Sequence, residues 1–343
     1  MISPIDKDWP EKDLEHIDAC PYCGSQERTL AYGDVQDWAF YCAPGKWNYW
    51  DCTNCRSLYL NPRPTRATIG AAYAKYFTHT TSESTNLLHL IKDRMKNEWW
   101  SYSLSANLEP RLHLPKLFSG AITLIGKRIG VPFGWMSLAN LPKGRFMDVG
   151  CGDGQTVNVA RQLGWDAMGI EIDPAAVRTA QRSGLNIVEG TYEQLTQYEQ
   201  QFDCIICSHV LEHVHDPRDL LAKLKIAIKP GGVLLLSLPN ALSALRQHFG
   251  ANWRGLEAPR HISIPAEPQL IQMLTELGFK VESMADNGRE TAASSYRIQR
   301  RGLVLSRHDN AMARRLDIRP LEIPVGNDFI KLICEASVGT GRR

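Results

Sequence analysis

The sequence of 343 residues predicts an α/β protein: a doubly wound, mostly parallel sheet with a small metal-binding module before it and helical insertions. Two observations predict this fold. Short apolar segments alternate with helix-like segments from residue 143 onward, and four paired cysteines precede them. We therefore expect a metal-binding module at 1–65, a helical linker or lid at 66–142, and the α/β domain at 143–343, with an arginine-rich insertion at 288–326.

The composition disfavours some classes of function. Thirty-nine Lys and Arg against 37 Asp and Glu give a net charge of +2, so nucleic acid is not an expected partner. No apolar run has the length of a membrane-spanning helix. The first residues lack a signal-peptide pattern, and nine cysteines in such a chain favour the reducing cytoplasm.

The four paired cysteines have the spacing of a structural zinc site. Cys20 and Cys23 form one C-x-x-C pair, and Cys52 and Cys55 form the second. Four thiolates complete a tetrahedral zinc, so we predict a metal that folds the module and takes no part in catalysis. Two alternatives stay open: a redox-active dithiol, or Cys42 in place of one ligand.

A glycine-rich turn follows the first predicted strand of the α/β domain. Gly150, Gly152 and Gly154 come directly after a short apolar segment that contains Asp148, and a helix is predicted after them. A strand, a glycine turn and a helix N-terminus place backbone N–H groups against a ligand. We therefore expect bare amides in this turn.

The spacing of the turn indicates which ligand to expect. Dinucleotide sites usually carry G-x-G-x-x-G, but Gln155 occupies the position of the third glycine. The next predicted strand, 166–170, leads into Glu171, whose carboxylate can accept hydrogen bonds from both hydroxyls of a ribose. The spacing therefore departs from that of a dinucleotide site, while Glu171 suits the ribose of an adenosine.

Asp148, the glycine turn and Glu171 resemble the first motif of class I S-adenosylmethionine-dependent methyltransferases. Segments 202–214 and 229–240 extend the resemblance along the chain. It implies a seven-stranded Rossmann-like sheet, S-adenosyl-L-methionine as cofactor, and methyl transfer as the activity. The residues that it assigns to cofactor binding are Asp148, Gly150, Cys151, Gly152, Gly154, Glu171, Ile172, Thr191, Tyr192, Ser208 and His209. Thr191 departs from the family, since many members carry an acid there that meets the adenine amine.

Residues 20–64 resemble the zinc-bearing front end of sugar and polyketide-type methyltransferases. This resemblance implies a small-molecule or glycan acceptor, such as a phosphorylated, nucleotide-linked or lipid-linked sugar. No second α/β pattern follows within the sequence, so C-methylation is not expected to carry over. Two alternatives are an RNA or protein methyltransferase that uses the module for recruitment, and a module that binds the cofactor without turnover.

Methyl transfer requires an aligned nucleophile and a group that takes its proton. Histidine suits this task because its ordinary pKa lies near neutral pH. We predict His261 as the general base and His213 as the alternative acceptor, with Arg260 or Arg254 holding an anionic group of the substrate. The structural alternative is that Arg260 and His261 only tie down their loop.

Two further segments have more than one interpretation. Residues 112–135 mix apolar and basic side chains, which is typical of a lid, of helical packing, or of peripheral contact with the inner face of a membrane. The insertion at 288–326 holds eight arginines and no lysine. It predicts either a solvated face or a cap that receives a phosphorylated substrate. The sequence does not indicate an oligomeric state.

Overall fold

The computed structural model describes residues 4–73, 87–114, 130–285, 289–300 and 328–337. Most of the lid or membrane segment, 112–135, and most of the arginine-rich insertion, 288–326, lie outside the described residues. The interpretations of both segments therefore stay predictions. Within the described ranges, no helix is both long and apolar enough to cross a bilayer.

The strands of the described residues are β1 (Leu14–Glu15), β2 (Arg28–Val35), β3 (Trp47–Cys52), β4 (Leu58–Leu60), β5 (Arg63–Pro64), β6 (Arg145–Val149), β7 (Asp166–Glu171), β8 (Ile187–Glu189), β9 (Phe202–Ser208), β10 (Ile228–Pro239), β11 (Ser263–Ile264), β12 (Phe279–Ser283) and β13 (Phe329–Ala336). The α-helices are α1 (Leu87–Ser103), α2 (Trp135–Asn140), α3 (Gln155–Gln162), α4 (Pro174–Arg182), α5 (Pro217–Ala227), α6 (Ala244–Phe249), α7 (Glu267–Glu276) and α8 (Arg289–Gln299).

Seven strands form the main sheet, in the order β12-β13-β10-β9-β6-β7-β8. Strands β6, β7 and β8 run parallel, whereas β12 and β13 pair antiparallel at the other edge. The interior strands are largely apolar because both faces of such a sheet are covered. The predicted seven-stranded, doubly wound sheet is confirmed.

Local sequence explains the elements around the glycine turn. In β6, four of five residues are buried, and the strand then enters the turn. Helix α3 begins after Gly154, which has a left-handed backbone. Helix α4 begins at Pro174, and the side chain of Asp173 accepts a hydrogen bond from the N–H of Ala175. These caps fix where the chain leaves β6 and β7.

A second sheet has the order β11-β4-β3-β2. Strand β11, at one edge of this sheet, lies much later in the sequence than the other three strands. Its Ser263 pairs with Tyr59, and its Ile264 pairs with Leu58. The Tyr22 hydroxyl also lies 3.0 Å from the Ser263 hydroxyl. The segment that follows His261 is therefore built into the sheet of the N-terminal residues.

The chain divides into two compact units. Unit 1 comprises residues 1–76, 207–225 and 236–343, and unit 2 comprises residues 77–206 and 226–235. The division cuts through β9 and β10, so the segments that follow these strands group with the N-terminal residues. Sequence patterns predict consecutive domains and contain no sign of this grouping.

Candidate active site

The glycine turn of unit 2 requires glycine at three positions. Gly150, Gly152 and Gly154 have φ values of 74°, 56° and 82°, which side chains disfavour. A Cβ on Gly154 would also lie 2.6 Å from the Ile187 Cδ1 atom. The turn is therefore fixed by backbone conformation and by close packing against the sheet.

The backbone amides of the turn are not bare. The N–H groups of Gly150 and Cys151 donate to the Ile170 carbonyl at 2.8 and 3.2 Å, and the N–H of Gly152 donates to Glu171 Oε2 at 2.8 Å. The expectation of unoccupied donors is wrong for these residues, because the end of β7 lies close enough to use them. The turn offers a closely approachable surface instead.

Glu171 is held in place by the same contacts. Its Oε1 accepts from the Asp173 N–H at 2.9 Å, while Oε2 accepts from Gly152. Each carboxylate oxygen has two lone pairs, so both can still accept from ribose hydroxyls. The next side chain, Ile172, is 68% exposed, which leaves an apolar surface beside the carboxylate. Thr191 caps the 3-10 helix that begins at Tyr192.

Asp148 is buried beneath the turn, and burial raises its pKa to about 8, with a further contribution from the charge of Glu171. At neutral pH this carboxyl is mostly protonated. A positively charged ligand group beside it would favour the ionised form instead. Asp148 is therefore sensitive to the charge of whatever binds at the turn.

Unit 1 contains a second group of chemically capable side chains, which follow β9 and precede β11. The residues are His209, Glu212, His213, Arg254, Glu257, Arg260 and His261. His209 has a left-handed backbone with φ 56°, and Leu211–His213 forms a single 3-10 turn. The main-chain N–H of His209 donates to the Ser237 carbonyl at 2.7 Å.

Glu212 lies at the centre of this group and is fully buried. Its Oε1 is 3.2 Å from His209 Nδ1 and 4.0 Å from His261 Nε2. Its Oε2 has no hydrogen-bond partner among the described residues. Burial acts to raise the pKa of Glu212, but the neighbouring histidines outweigh it and lower the pKa, so the group is a carboxylate.

His261 presents one nitrogen to these carboxylates. Its Nδ1 donates to the Gly255 carbonyl at 2.7 Å, which places the proton on Nδ1 and the lone pair on Nε2. That Nε2 lies 3.6 Å from Glu257 Oε2. Burial lowers the pKa of His261 to about 4, against the charges of Glu257 and Glu212, so the ring is neutral near pH 7.

His213 lies against the same ring. The two imidazole centroids are 4.6 Å apart in an edge-on arrangement. The His213 Nδ1 lies 3.1 Å from the Arg260 carbonyl and 2.9 Å from the Tyr73 hydroxyl. Because a carbonyl only accepts, Nδ1 of His213 also carries its proton in the neutral ring.

Arg260 does not present its guanidinium to a substrate. The side chain is fully buried, and its donors contact Asp37 at 2.5 and 3.1 Å, Glu257 at 3.1 Å and the Ala72 carbonyl at 3.0 Å. Arg254 also pairs with Glu257. The predicted role of Arg260 as an anion holder thus finds no exposed donor, because protein carboxylates occupy it.

Sequence reasoning missed Asp37 and Glu257. Asp37 stands in a segment with no motif, and 223 positions separate it from the arginine that it binds. Glu257 lies within the predicted loop, and only its spacing of three and four residues from Arg260 and His261 could have indicated a pairing. Asp37 meets its partner only through a tertiary contact, whereas Glu257 meets its partners within its own loop.

The four predicted zinc ligands converge in unit 1. The sulfur atoms of Cys20 and Cys55 are 3.6 Å apart, those of Cys23 and Cys52 are 3.4 Å apart, and all four lie within 4.8 Å of one another. A tetrahedral zinc with Zn–S bonds of about 2.3 Å would place sulfurs about 3.8 Å apart. Cys42 instead contacts Asp37. The donor set fits a closed zinc site with four thiolate ligands.

A family model described as a methyltransferase domain matches residues 131–284. The ubiquinone biosynthesis O-methyltransferase of Dinoroseobacter shibae is 32% identical over 218 residues, which cover 59% of this chain and 85% of that relative. The chain belongs to the class I S-adenosylmethionine-dependent methyltransferases. This methyltransferase also shares 34% identity over 110 residues with the enzyme of the same name from Alkalilimnicola ehrlichii, covering 30% of this chain and 44% of that relative.

Solved structures of low identity are also similar to the methyltransferase. A SAM-dependent methyltransferase from Archaeoglobus fulgidus is 18% identical, with a TM-score of 0.42, and the match covers 64% of this chain and 100% of that one. A methyltransferase from Mesorhizobium loti is 20% identical with a TM-score of 0.41, covering 59% of this chain and 97% of that one.

Proposed function

We propose that this methyltransferase transfers the methyl group of S-adenosyl-L-methionine to a hydroxyl oxygen of a small molecule, with His261 as the proton acceptor. One observation carries the proposal: the Nε2 atom of His261 lies beside two carboxylate oxygens of unit 1. Glu212 Oε1 is 4.0 Å and Glu257 Oε2 is 3.6 Å from that nitrogen.

The charges of these three groups support His261 as the proton acceptor. The neutral His261 ring has its Nδ1 proton committed to Gly255, so its Nε2 lone pair points toward two ionised carboxylates. Glu257 Oε2 already accepts from Arg254 Nη1, so the lone pair that would receive the proton of a substrate hydroxyl is that of His261 Nε2. As the hydroxyl oxygen gains the methyl group, the imidazolium that forms is stabilised by both carboxylates.

The names of the relatives support oxygen as the acceptor atom, since both are described as O-methyltransferases. A glycan intermediate, including a phosphorylated or nucleotide- or lipid-linked sugar, remains a narrower form of the proposal. Such an acceptor would need a cation other than Arg260 or Arg254, because both arginines contact Glu257.

We further propose that the cofactor binds at the glycine turn of unit 2. Asp148 and the glycine turn would receive its methionine end, Glu171 its ribose, and the exposed side chain of Ile172 its adenine. Cys151, Thr191, Tyr192, Ser208 and His209 remain proposed contacts. Both proposed sites follow the ends of sheet strands, where doubly wound sheets bind ligands.

A structural zinc held by Cys20, Cys23, Cys52 and Cys55 completes the proposal. Four thiolates leave no open position on the metal, so its contribution would be to hold the second sheet together. Cysteines that serve as thiolate ligands favour a reducing cytoplasm as the location.

The test uses full-length protein, cofactor labelled in its methyl group, and a metabolite extract as the source of acceptors. We expect labelled product whose methyl group is bound to oxygen. His261→Gln should reduce its formation about a hundredfold or more while the affinity for S-adenosylhomocysteine is kept. His248→Gln, at an exposed histidine of the same unit, is the matched control and should keep full turnover.

Three results would contradict the proposal. Label on carbon or nitrogen would exclude O-methylation. Full turnover in folded His261→Gln would remove the histidine as the acceptor. A requirement for an added divalent cation would replace direct proton acceptance with metal activation of the hydroxyl.

A further inference from the structure

We propose that Asp37, in the N-terminal part of unit 1, is a positioning residue for methyl transfer: it fixes Arg260, which in turn fixes Glu257 against His261. This inference rests on the proposed function, since it concerns the histidine assigned there as the proton acceptor. All four residues belong to unit 1.

The carboxylate of Asp37 is held in one position by several hydrogen bonds. Its side chain is fully buried, and both carboxylate oxygens accept from Arg260 in a two-point pair at 2.5 and 3.1 Å. The backbone N–H groups of Phe40, Cys42 and Ala43 donate to the same carboxylate at 3.1, 3.0 and 2.9 Å. Five donors around one carboxylate leave the guanidinium a single orientation.

Arg260, held in this orientation, also donates a hydrogen bond to Glu257. While its two terminal nitrogens contact Asp37, its Nε donates to Glu257 Oε1 at 3.1 Å. The other oxygen of Glu257, Oε2, is the one that lies 3.6 Å from His261 Nε2. The N–H groups of one guanidinium therefore link the Asp37 carboxylate to Glu257, which lies beside His261.

The loop itself is held from the same side. The hydroxyl of Tyr49, on β3, lies 2.5 Å from the Leu256 carbonyl and 2.8 Å from the His261 carbonyl. This contact fixes the backbone at both sides of Glu257, while Asp37 fixes the side chains. The N-terminal residues thus take part in shaping the acceptor site, beyond carrying the cysteines.

The protonation midpoint of His261 can separate a positioning role of Asp37 from a purely structural one. The charged or titratable groups around His261 are Glu212, His213 and Glu257, and those around Glu257 also include Arg254 and Arg260. Asp37 neutralises Arg260. Without it, the uncompensated guanidinium disfavours an imidazolium at His261, so the protonation midpoint of that ring should move to lower pH.

The experiment compares the full-length wild type with Asp37→Asn, Arg260→Gln and the double variant. We expect Asp37→Asn to lower the methyl-transfer rate about tenfold or more, with unchanged calorimetric affinity for S-adenosylhomocysteine. By histidine nitrogen NMR, the protonation midpoint of His261 should fall by about half a pH unit or more. The double variant removes both charges, so its midpoint should return toward the wild-type value while its rate stays low.

Glu15→Gln is the matched control. It removes a carboxylate from another arginine pair of unit 1, Glu15 with Arg63 at 2.7 Å, and should change neither rate nor midpoint. If Asp37→Asn does not fold, Arg260→Lys keeps the charge but loses the two-point geometry, so the rate should fall without a shift of the midpoint.

The outcomes are distinct. A folded Asp37→Asn with the wild-type rate, or with a lower rate and an unshifted His261 midpoint, overturns the positioning role. A wild-type rate in Arg260→Lys overturns it as well. Loss of activity in His261→Gln together with either result leaves the proposed function standing, whereas full activity in His261→Gln removes the proposed function itself.

Discussion

Arg260 and Asp37 form a fully buried ion pair, with Nη2 of the arginine 2.5 Å from Oδ1 of the aspartate and 223 positions between them in the chain. Burying two charges is unfavourable unless they are paired and hydrogen-bonded, and here both conditions are met. Removing one partner leaves the other as an unpaired buried charge.

Stability should therefore depend strongly on Asp37. We expect Asp37→Ala to lower the free energy of unfolding by about 3–5 kcal/mol, because the Arg260 guanidinium stays buried without its main partner. Glu15→Ala, which breaks a partly exposed pair, should cost about 1 kcal/mol or less. Urea unfolding of both variants measures the difference, and equal losses would show that the Arg260 pair is not the stronger one.

The buried His261 should make stability depend on pH. Its pKa is lowered by burial from an ordinary value of 6.5 to about 4, so the unfolded chain binds the proton more tightly than the folded one. The stability that His261 contributes is present above pH 6.5 and is lost as the pH falls toward 4. The loss should reach about 3 kcal/mol.

Urea unfolding at pH 7 and pH 5, on wild type and His261→Gln, checks this. The wild type should lose more stability between these pH values than the variant does. A parallel decline of both proteins would mean that His261 titrates normally in the fold.

Cofactor binding should release a proton from Asp148. Its pKa of about 8 leaves it mostly protonated at pH 7, and the cationic ammonium and sulfonium of S-adenosylmethionine favour the carboxylate. We expect release of about one proton per cofactor bound. Calorimetry in buffers of different ionisation enthalpy measures this number. Asp148→Asn should bind with no proton release, and buffer-independent heats in the wild type would contradict the prediction.

Gly154 should tolerate alanine worse than another left-handed glycine. Gly154 and Gly164 have φ values of 82° and 94°, but only at Gly154 would the new Cβ meet Ile187 within 2.6 Å. Gly164→Ala should cost about 1 kcal/mol of stability from backbone strain. Gly154→Ala should cost about 1–3 kcal/mol more and weaken cofactor binding, because the turn must move. Unfolding and calorimetry test both effects, and similar behaviour of the two variants would count against crowding at the turn.

Removal of the proposed zinc should disrupt the N-terminal sheet. Chelation, or Cys20→Ser, should expose the amides of β2, β3 and β4 to hydrogen exchange, because the sulfur cluster ties their ends together. Cys42→Ser, outside the cluster, should retain one zinc per chain by elemental analysis. Loss of zinc from Cys42→Ser would instead make Cys42 a ligand, and protected amides after chelation would contradict a structural metal.

The local patterns of the sequence sufficed for the main sheet and the family. Glycines with positive φ, an acid at the end of the following strand, and paired cysteines are signals contained within a few residues, and each arises from backbone or ligand chemistry that acts locally. They led to the seven-stranded sheet and to the positions of Asp148 and Glu171. They did not reveal that the end of β7 occupies the amides of the turn.

The arrangement of the proposed acceptor site depended on the tertiary structure. His213 and His261 could be chosen from their places after sheet strands, but the partners of Arg260 could not, since Asp37 shows no pattern of its own. A buried guanidinium pairs with the carboxylate that the fold places beside it. The burial of His261, set against the charges of Glu257 and Glu212, decides whether its ring is neutral or charged. Sequence thus determined which chemical groups are present, and long-range packing decided which of them are buried against one another.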